Sequence, residues 1–428
     1  MSRRDRSVGV DSSRGMHMTF IRHAFPILVT AALVAGIQAQ SGSTDVTQWR
    51  GANRDGAMAF TAPAVWPEQL TQKWKVEVGL GYATPLVVGS RVYMFSRQGE
   101  NEVMSALEAQ TGKVLWHTED RAPFEMNKAA SPHGPGPKST PVFFNGRLYS
   151  IGMTGIVTAY DANSGKRLWQ KPGSTPVPLY TTHAFSPIVD NGRVIFHVGG
   201  HNQGSLVALD EYTGEAKWTW SGDGPGYGSP IVVSIGGTRQ LVTITQTKIV
   251  GIDVANGTLL WERPFVHPSN NNMMTPMVAG NRVIVGGTAG PTMALNITRA
   301  NNQWTAEPAW ENADAPLSMS NAVVAGDILF GLSSRNSGQY FALDVGTGKT
   351  LWTSEGRQAA NAAVLRAADL LFSLEDDGEL IVARASKAAF EPVKRYKVAD
   401  SATYAQPALA GNRIFVKDLS TLALWTLN

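Results

Sequence analysis

One hairpin recurs along the chain and limits what it can fold into. Its fullest form is Ala159-Tyr-Asp161-Ala-Asn-Ser164-Gly165-Lys-Arg-Leu-Trp169. Ala106 to Trp116 reads AxExxTGxxxW, Ala208 to Trp218 and Ala342 to Trp352 read AxDxxTGxxxW, and Gly251 to Trp261 reads GxDxxNGxxxW. In every copy a small residue precedes the Trp by ten positions. The Asp-x-x-Thr/Ser/Asn-Gly core is turn chemistry, because Asp bonds backbone two residues on and Gly tolerates positive φ. An alternating apolar run precedes it and a short run ending in Trp follows, which predicts a β-hairpin with one large aromatic at a fixed place. A hairpin repeated at this interval cannot bury its own faces and must stack on its copies.

A second marker sits inside each unit. Thr84-Pro85, Thr140-Pro141, Ser186-Pro187, Ser229-Pro230, Thr275-Pro276 and Gln406-Pro407 each precede a short apolar strand, and Ser320-Asn321 and Asn361-Ala362 hold the same place without Pro. Pro at the first residue of a strand costs no ladder bond that matters. The spacing predicts eight units of four strands, an all-β, eight-bladed propeller rather than a helical solenoid.

The AxDxxTGxxxW hairpin resembles the tryptophan-docking repeat of the pyrroloquinoline-quinone (PQQ) repeat superfamily, over roughly residues 45 to 428. That superfamily includes eight-bladed quinoprotein alcohol dehydrogenases and non-enzymatic relatives such as the outer-membrane assembly protein BamB. The resemblance implies that Trp74, Trp116, Trp169, Trp218, Trp261 and Trp352 each pack flat between blades. A buried aromatic of this size removes about 150–250 Å² from water, which suits that role.

The domain reading is a leader over 1–39, an N-terminal strap over 40–70 and the propeller over 71–428. Residues 25 to 37 are an uncharged apolar run after Arg22 and His23, with Ile37-Gln38-Ala39 as a cleavage signal. Thirteen residues are too few to span a bilayer, which takes about 20, and the pattern predicts a secretory signal peptide. Met1, Met16 and Met18 are alternative starts. Residues 1–39 hold five Arg and two Asp, so removing them takes the 37 Lys and Arg and the 34 Asp and Glu to 32 of each. The basic balance belongs to the leader and gives no argument for nucleic acid or an anionic membrane. With no cysteine anywhere, acylation behind the leader, covalent haem, Cys zinc sites and thiol nucleophiles are excluded. The expectation is an exported, periplasmic or secreted monomer that is not a lipoprotein.

The strap carries Trp49-Arg50-Gly51 and Asn53-Arg54-Asp55-Gly56, and quinoprotein dehydrogenases have a similar stretch before their first blade. Its turn-rich composition favours a structural strap over a ligand-contacting arm. Gln72 to Val78 alternates as a strand before any blade is complete, while the last unit stops after its third strand at Leu422 to Trp425. The N-terminal strand is therefore expected to close blade eight, with Trp74 in the docking position. Blade five leaves Trp304 and Trp310 as alternatives, and in blade seven Tyr396 stands where a Trp would.

Chemistry is expected at the mouth, where the loops entering the innermost strands converge. These loops supply Tyr82, His133, Lys138, His183, Tyr227, Asn271 and Tyr404 as ligand-binding candidates, with aromatic walls and scattered polar groups. Lys138 is the expected anion contact, because Gly134-Pro-Gly-Pro137 fixes its loop. Other constellations are weaker. His197 and His201 lie four apart in a strand context, where that spacing does not bring ligands together. Glu375-Asp376-Asp377-Gly378 lacks spaced EF-hand ligands and reads as a hairpin turn. Gly286 to Gly290 lacks a P-loop Lys, and there is no GxSxG. No catalytic or metal residue is assigned. The favoured function is a non-catalytic, BamB-like binding or scaffold protein of the cell envelope, taking a protein or small molecule at the mouth. The alternative is a PQQ-dependent dehydrogenase of alcohols or sugars. No cofactor is required on the first reading, and PQQ is the one the second would add.

Overall fold

A computed structural model describes residues 44–173, 183–287, 290–317 and 319–427. The leader and its cleavage site lie outside them. Eight four-stranded antiparallel sheets form a propeller, with no α-helix among the described residues. Blades one to seven run inner to outer in chain order, beginning at Leu86–Val88, Val142–Phe144, Ile188–Asp190, Ile231–Ile235, Met277–Ala279, Val323–Ala325 and Ala362–Ala367. Blade eight takes three strands from the C-terminus and its outermost from Thr71–Glu77, which pairs antiparallel with Thr421–Thr426. The ring therefore closes as expected, and no blade lacks its outer strand.

The third strand of blade one, Asn101–Glu108, is buried over its six central residues, with Glu102 and Ser105 among them. The outermost strand lies on the circumference and alternates, as in Val114–Arg121. Between the two runs the repeated hairpin. Asp161 accepts from the Asn163 and Ser164 amides at 3.1 and 2.8 Å and from the Ser164 hydroxyl at 2.7 Å. Gly165 then takes φ of 74°. The side-chain and backbone bonds from Ser164 hold the Asp161 carboxyl below its usual range.

The ten-residue offset has a structural cause. Ala106, Ala159, Ala208, Gly251 and Ala342 are the cross-strand partners of Trp116, Trp169, Trp218, Trp261 and Trp352, each beside a β-bulge. A small residue leaves room for the indole. The indole crosses to the next blade and covers its turn glycine: Trp74 lies over Gly112, Trp116 over Gly165, Trp169 over Gly214 and Trp218 over Gly257. Each also donates its ring N–H to a carbonyl of that turn, Ala109, Ala162, Glu211 and Val254 respectively, at 3.0 to 3.3 Å.

Blade five resolves in favour of Trp310, which pairs with Ala294, lies over Gly348 and donates to the Val345 carbonyl at 2.8 Å. Its longer hairpin reaches Arg299–Trp304, and there is no turn glycine for blade four to cover. Trp261 consequently departs from the docking pattern. Its indole lies over Gly251 of its own blade and donates to Gln240 Oε1 at 2.7 Å. A Cβ at position 251 would meet that ring at 2.2 Å, which is why this copy of the repeat begins with Gly. Trp352 donates to the Ser386 carbonyl and packs at 6.1 Å from Phe390, since blade seven lacks the motif turn. Tyr396 does not take the Trp position: the residue beside the bulge, Val382, pairs with Lys394, while Tyr396 pairs with Leu380 two residues away and donates to the Pro67 carbonyl at 2.8 Å.

Candidate functional site at the propeller mouth

The Thr/Ser-Pro markers line the axis as a hydrogen-bonded belt. The Thr84 amide donates to Thr140 Oγ1, Thr140 to Ser186 Oγ, Ser186 to Ser229 Oγ, Ser229 to Thr275 Oγ1 and Thr275 to Asn321 Oδ1, at 2.8 to 3.3 Å. One side chain per blade thus satisfies one amide of its neighbour, and the innermost strands are held as a ring. The sense reverses at blade seven, where the Ala362 amide donates back to Ser320 Oγ at 2.8 Å. At the seam that follows, Asn361 Oδ1, Gln406 Nε2 and Thr84 Oγ1 are buried atoms without a partner.

The strap enters this ring. Residues 46 to 61 touch all eight blades. Val46 bridges to Val87, the Thr47 carbonyl accepts from Phe143, and Trp49 donates to Thr275 Oγ1 at 3.0 Å. Arg54 donates to the Ser186 and Pro230 carbonyls, both at 3.0 Å, and to that of Pro187. Arg50 donates to the Ala322 carbonyl at 2.6 Å, Ala57 bridges to Arg366, and Phe60 to Gly411. Both guanidinium side chains are buried, at 1 % exposure. Burial lowers Arg50 to about 10 and Arg54 to about 9, so both remain cations at neutral pH.

A cavity of about 200 Å³ opens at the mouth. Its lining brings together Tyr82, His133, Lys138, Tyr227 and Tyr404, five of the seven expected residues. Tyr82 and Tyr404 meet edge to face at 5.1 Å, and His133 packs against Tyr404 at 5.9 Å. Burial raises Tyr82 to about 12, so its phenol stays neutral. Burial first, then Lys138, lowers His133 below its ordinary value.

Two expected residues are placed elsewhere. His183 is buried behind the mouth at 2 % exposure with neither ring nitrogen partnered, and burial followed by His197 lowers it to about 3. It packs in the wall, while Ala184 and Ser186 face the cavity. Asn271 is also absent from the lining. Its neighbour Asn272 is the structural amide, donating to the Thr245, Gln246 and Phe265 carbonyls at 2.9 to 3.1 Å. Among the mouth loops, residues 180–182 before His183 and Ser318 in the loop entering blade six lie outside the described residues.

Lys138 lines the cavity but is not a free anion contact. Its ammonium donates to the His133, Gly134 and Gly136 carbonyls at 3.3, 3.0 and 3.1 Å. All three protons are spent within its own loop, and burial lowers it to about 8. The cation the sequence reading did not place at the mouth is Arg50, which joins Trp49, Met273, Met319, Asn361 and Gln406 in the lining. No Asp or Glu lines the cavity among the described residues, and these contain no group of three His, Asp or Glu able to hold a metal. Glu375 to Gly378 form a hairpin turn, with Gly378 at φ of 88°.

The family model described as outer membrane protein assembly factor BamB matches residues 100–354. The chain belongs to this family of PQQ-repeat propellers. It is 26 % identical over 368 residues to the outer membrane protein assembly factor BamB of Burkholderia pseudomallei, covering 81 % of this chain and 84 % of that protein. Among solved structures it superposes on BamB from Moraxella catarrhalis with a TM-score of 0.61, at 15 % identity, over 83 % of this chain and 97 % of the other. It also superposes on the quinohemoprotein alcohol dehydrogenase of Comamonas testosteroni with a TM-score of 0.63, at 14 % identity, over 90 % and 80 % of the two chains. These two likenesses speak to fold alone. A BamB-family propeller and a quinoprotein dehydrogenase share the architecture.

Proposed function

We propose that this BamB-family chain is a non-catalytic scaffold of the cell envelope that binds through its propeller mouth. The observation that carries the reading is the composition of the cavity: aromatic and thioether walls, hydroxyl and amide groups, the cations Arg50 and Lys138, and no carboxylate. Quinone catalysis requires a metal or cation polarising the quinone carbonyl and a general base within reach of the substrate proton. PQQ carries three carboxylates. The mouth opposes them with Arg50 and a Lys138 already capped by three carbonyls. It offers no Asp or Glu as metal ligand or base. These residues do not fit the cofactor.

The relatives named as outer membrane protein assembly factors support an envelope role, with export directed by the apolar segment at 25–37 and delivery to the periplasm. No helix among the described residues is long and apolar enough to cross a membrane. Without a cysteine the chain has no acylation site of the lipoprotein kind. Exposed Tyr404 and Met319 at the cavity rim support the mouth as the contact surface, and the reading takes the propeller as a monomer. The test is photo-crosslinking in intact cells, with p-benzoylphenylalanine at Tyr404 and, as control, at Tyr212 on an exposed outer hairpin. A discrete envelope-protein adduct from Tyr404 and none from Tyr212 is expected. Adducts from Tyr212 alone would refute mouth binding.

A further inference from the structure

The mouth contains a buried cation with no direct ion pair among the described residues, favoured only by the nearby charge of Asp55 that it shares with Arg366. Arg50 is 1 % exposed and lines the cavity. It donates to the Ala322 carbonyl, and its Nε has no partner among the described residues. No carboxylate lies within ion-pair distance of it among the described residues: the neighbouring Asp55 is engaged by Arg366 at 2.9 Å. The backbone is shaped to hold it there. Arg50 itself sits at φ of 60°, and a Cβ on Gly56, at φ of 81°, would fall 2.8 Å from Arg50 Nη2. Burying an unpaired charge is expensive, and a protein that does so supplies the counter-charge from elsewhere.

The donors around it are also unspent. Gln406 is 2 % exposed, lines the same cavity and leaves Nε2 without an acceptor. It sits at the seam where the axial belt of hydroxyls breaks off, so the break frees a donor for something outside the chain. Above these groups the walls are apolar and aromatic: Tyr82, Tyr404, Met273 and Met319.

From this arrangement we infer that the mouth is a receptor for a monocarboxylate with an apolar or aromatic body, its carboxylate held by the Arg50 guanidinium and the Gln406 amide and its body against Tyr82, Tyr404 and the two methionines. A guanidinium and an amide both donate, matching an acceptor-only carboxylate. A volume of about 200 Å³, open at the mouth, accommodates an aromatic side chain and its carboxylate. Such a group is either a free small acid or the end of a peptide chain. This inference rests on mouth binding as proposed above and names its chemistry.

Isothermal titration with N-acetylphenylalanine, N-acetylphenylalaninamide and the peptide Gly-Gly-Phe tests it. The free acid is expected to bind at least tenfold more tightly than its amide. Gln406→Glu, which puts a fixed carboxylate into the cavity with Arg50, should weaken the acid at least tenfold and leave the amide unchanged. Arg50→Gln should do the same, and the Gln406 variant carries the test if loss of the Ala322 bond unfolds the Arg50 variant. Binding of Gly-Gly-Phe at least as tight as that of N-acetylphenylalanine assigns the site to a chain end, and binding of the small acid alone assigns it to a metabolite-sized ligand; either supports the inference. Equal affinity for acid and amide, or no binding of the acid, overturns it. If that occurs while the Tyr404 crosslink forms, the carboxylate receptor fails and the mouth scaffold stands; if the crosslink is also absent, both fail.

Discussion

The interlock between Trp218 and Gly257 is the sharpest place to test how the blades are held. Trp218 is 8 % exposed, donates to the Val254 carbonyl at 3.0 Å, and covers Gly257 so closely that a Cβ there would lie 2.7 Å from the ring. Truncating a buried Trp to Ala costs about 3–5 kcal/mol from lost burial and the cavity left behind. Gly257 sits at φ of 78°, so Gly257→Ala incurs about 1 kcal/mol of backbone strain. Its methyl group adds an overpacking cost of about 1–3 kcal/mol against the indole. In the double variant the ring is gone and the methyl has room, so only the backbone strain adds to the Trp218→Ala loss. The account expects the double variant to be about 1–3 kcal/mol more stable than the sum of the single costs. Guanidinium denaturation of the four proteins, followed by far-ultraviolet circular dichroism, supplies the cycle. Additive costs would show that the indole does not bear on the turn glycine, and the packing account of the repeat would be wrong.

Further perturbations test other parts of the account. Deleting residues 71–77 should leave Thr421–Thr426 as an open edge and yield insoluble protein; a soluble monomer of unchanged melting temperature would show that another strand closes the ring. Arg54→Ala removes donors to three buried carbonyls and should cost about 3 kcal/mol or more by the penalty for unsatisfied groups; a melting temperature within 1–2 °C of wild type, about the shift of a surface change, would deny the strap its role. Burial raises the Glu102 carboxyl to about 7 from 4.5, so the folded state holds the proton more tightly and stability falls as pH rises between those values. Glu102→Gln should flatten that fall by on the order of 1–3 kcal/mol between pH 5 and 7, read from denaturant midpoints; an unchanged slope contradicts it. His183 runs the other way: its pKa is lowered to about 3, so its contribution is present above pH 6.5 and is lost on acidification. His183→Leu should accordingly move the acid-unfolding midpoint to lower pH, and a midpoint at or above the wild-type value refutes this.

How much of this was legible in the sequence depends on whether a residue's role is local. The hairpin turns are local chemistry, so Asp161 and Gly165 announce them, and the recurrence of the two markers at similar spacing points to eight blades and a ring closed by its two ends. The small residue ten before each Trp was visible as a pattern, but its meaning as the indole's cross-strand partner depends on a bulge that periodicity does not display. Trp261 illustrates the limit. Its motif is nearly intact, yet the next blade's hairpin has Arg299-Ala300 where the turn glycine should be, and the indole turns back onto Gly251. The combination of Gly251 in its own repeat and a missing glycine in the next was the available signal. The mouth was located by its loops, while the ranking of its cations was inverted. Lys138 looked free because nothing in Gly134-Pro-Gly-Pro137 reveals that the loop's carbonyls fold back onto its own ammonium. Arg50 and Arg54 sit in a stretch whose Gly and Asp content signals turns without saying that the turns thread the axis. Their positive φ values are consequences of threading the ring, set by contacts with blades hundreds of residues away. His183 and Asn271 share the same cause of failure: a loop can be placed at the mouth from sequence, but the direction of each side chain is decided by packing.

The central claim is that the mouth binds and does not catalyse. It is tested most directly by incubating the purified protein with PQQ and calcium and following reduction of an artificial electron acceptor with alcohols and aldoses as donors. The account predicts no reduction above the rate without PQQ, because the cavity offers no carboxylate to act as base or metal ligand. PQQ-dependent reduction that is abolished by Arg50→Gln or Lys138→Ala in folded protein would contradict it and place the chain among the quinoprotein dehydrogenases.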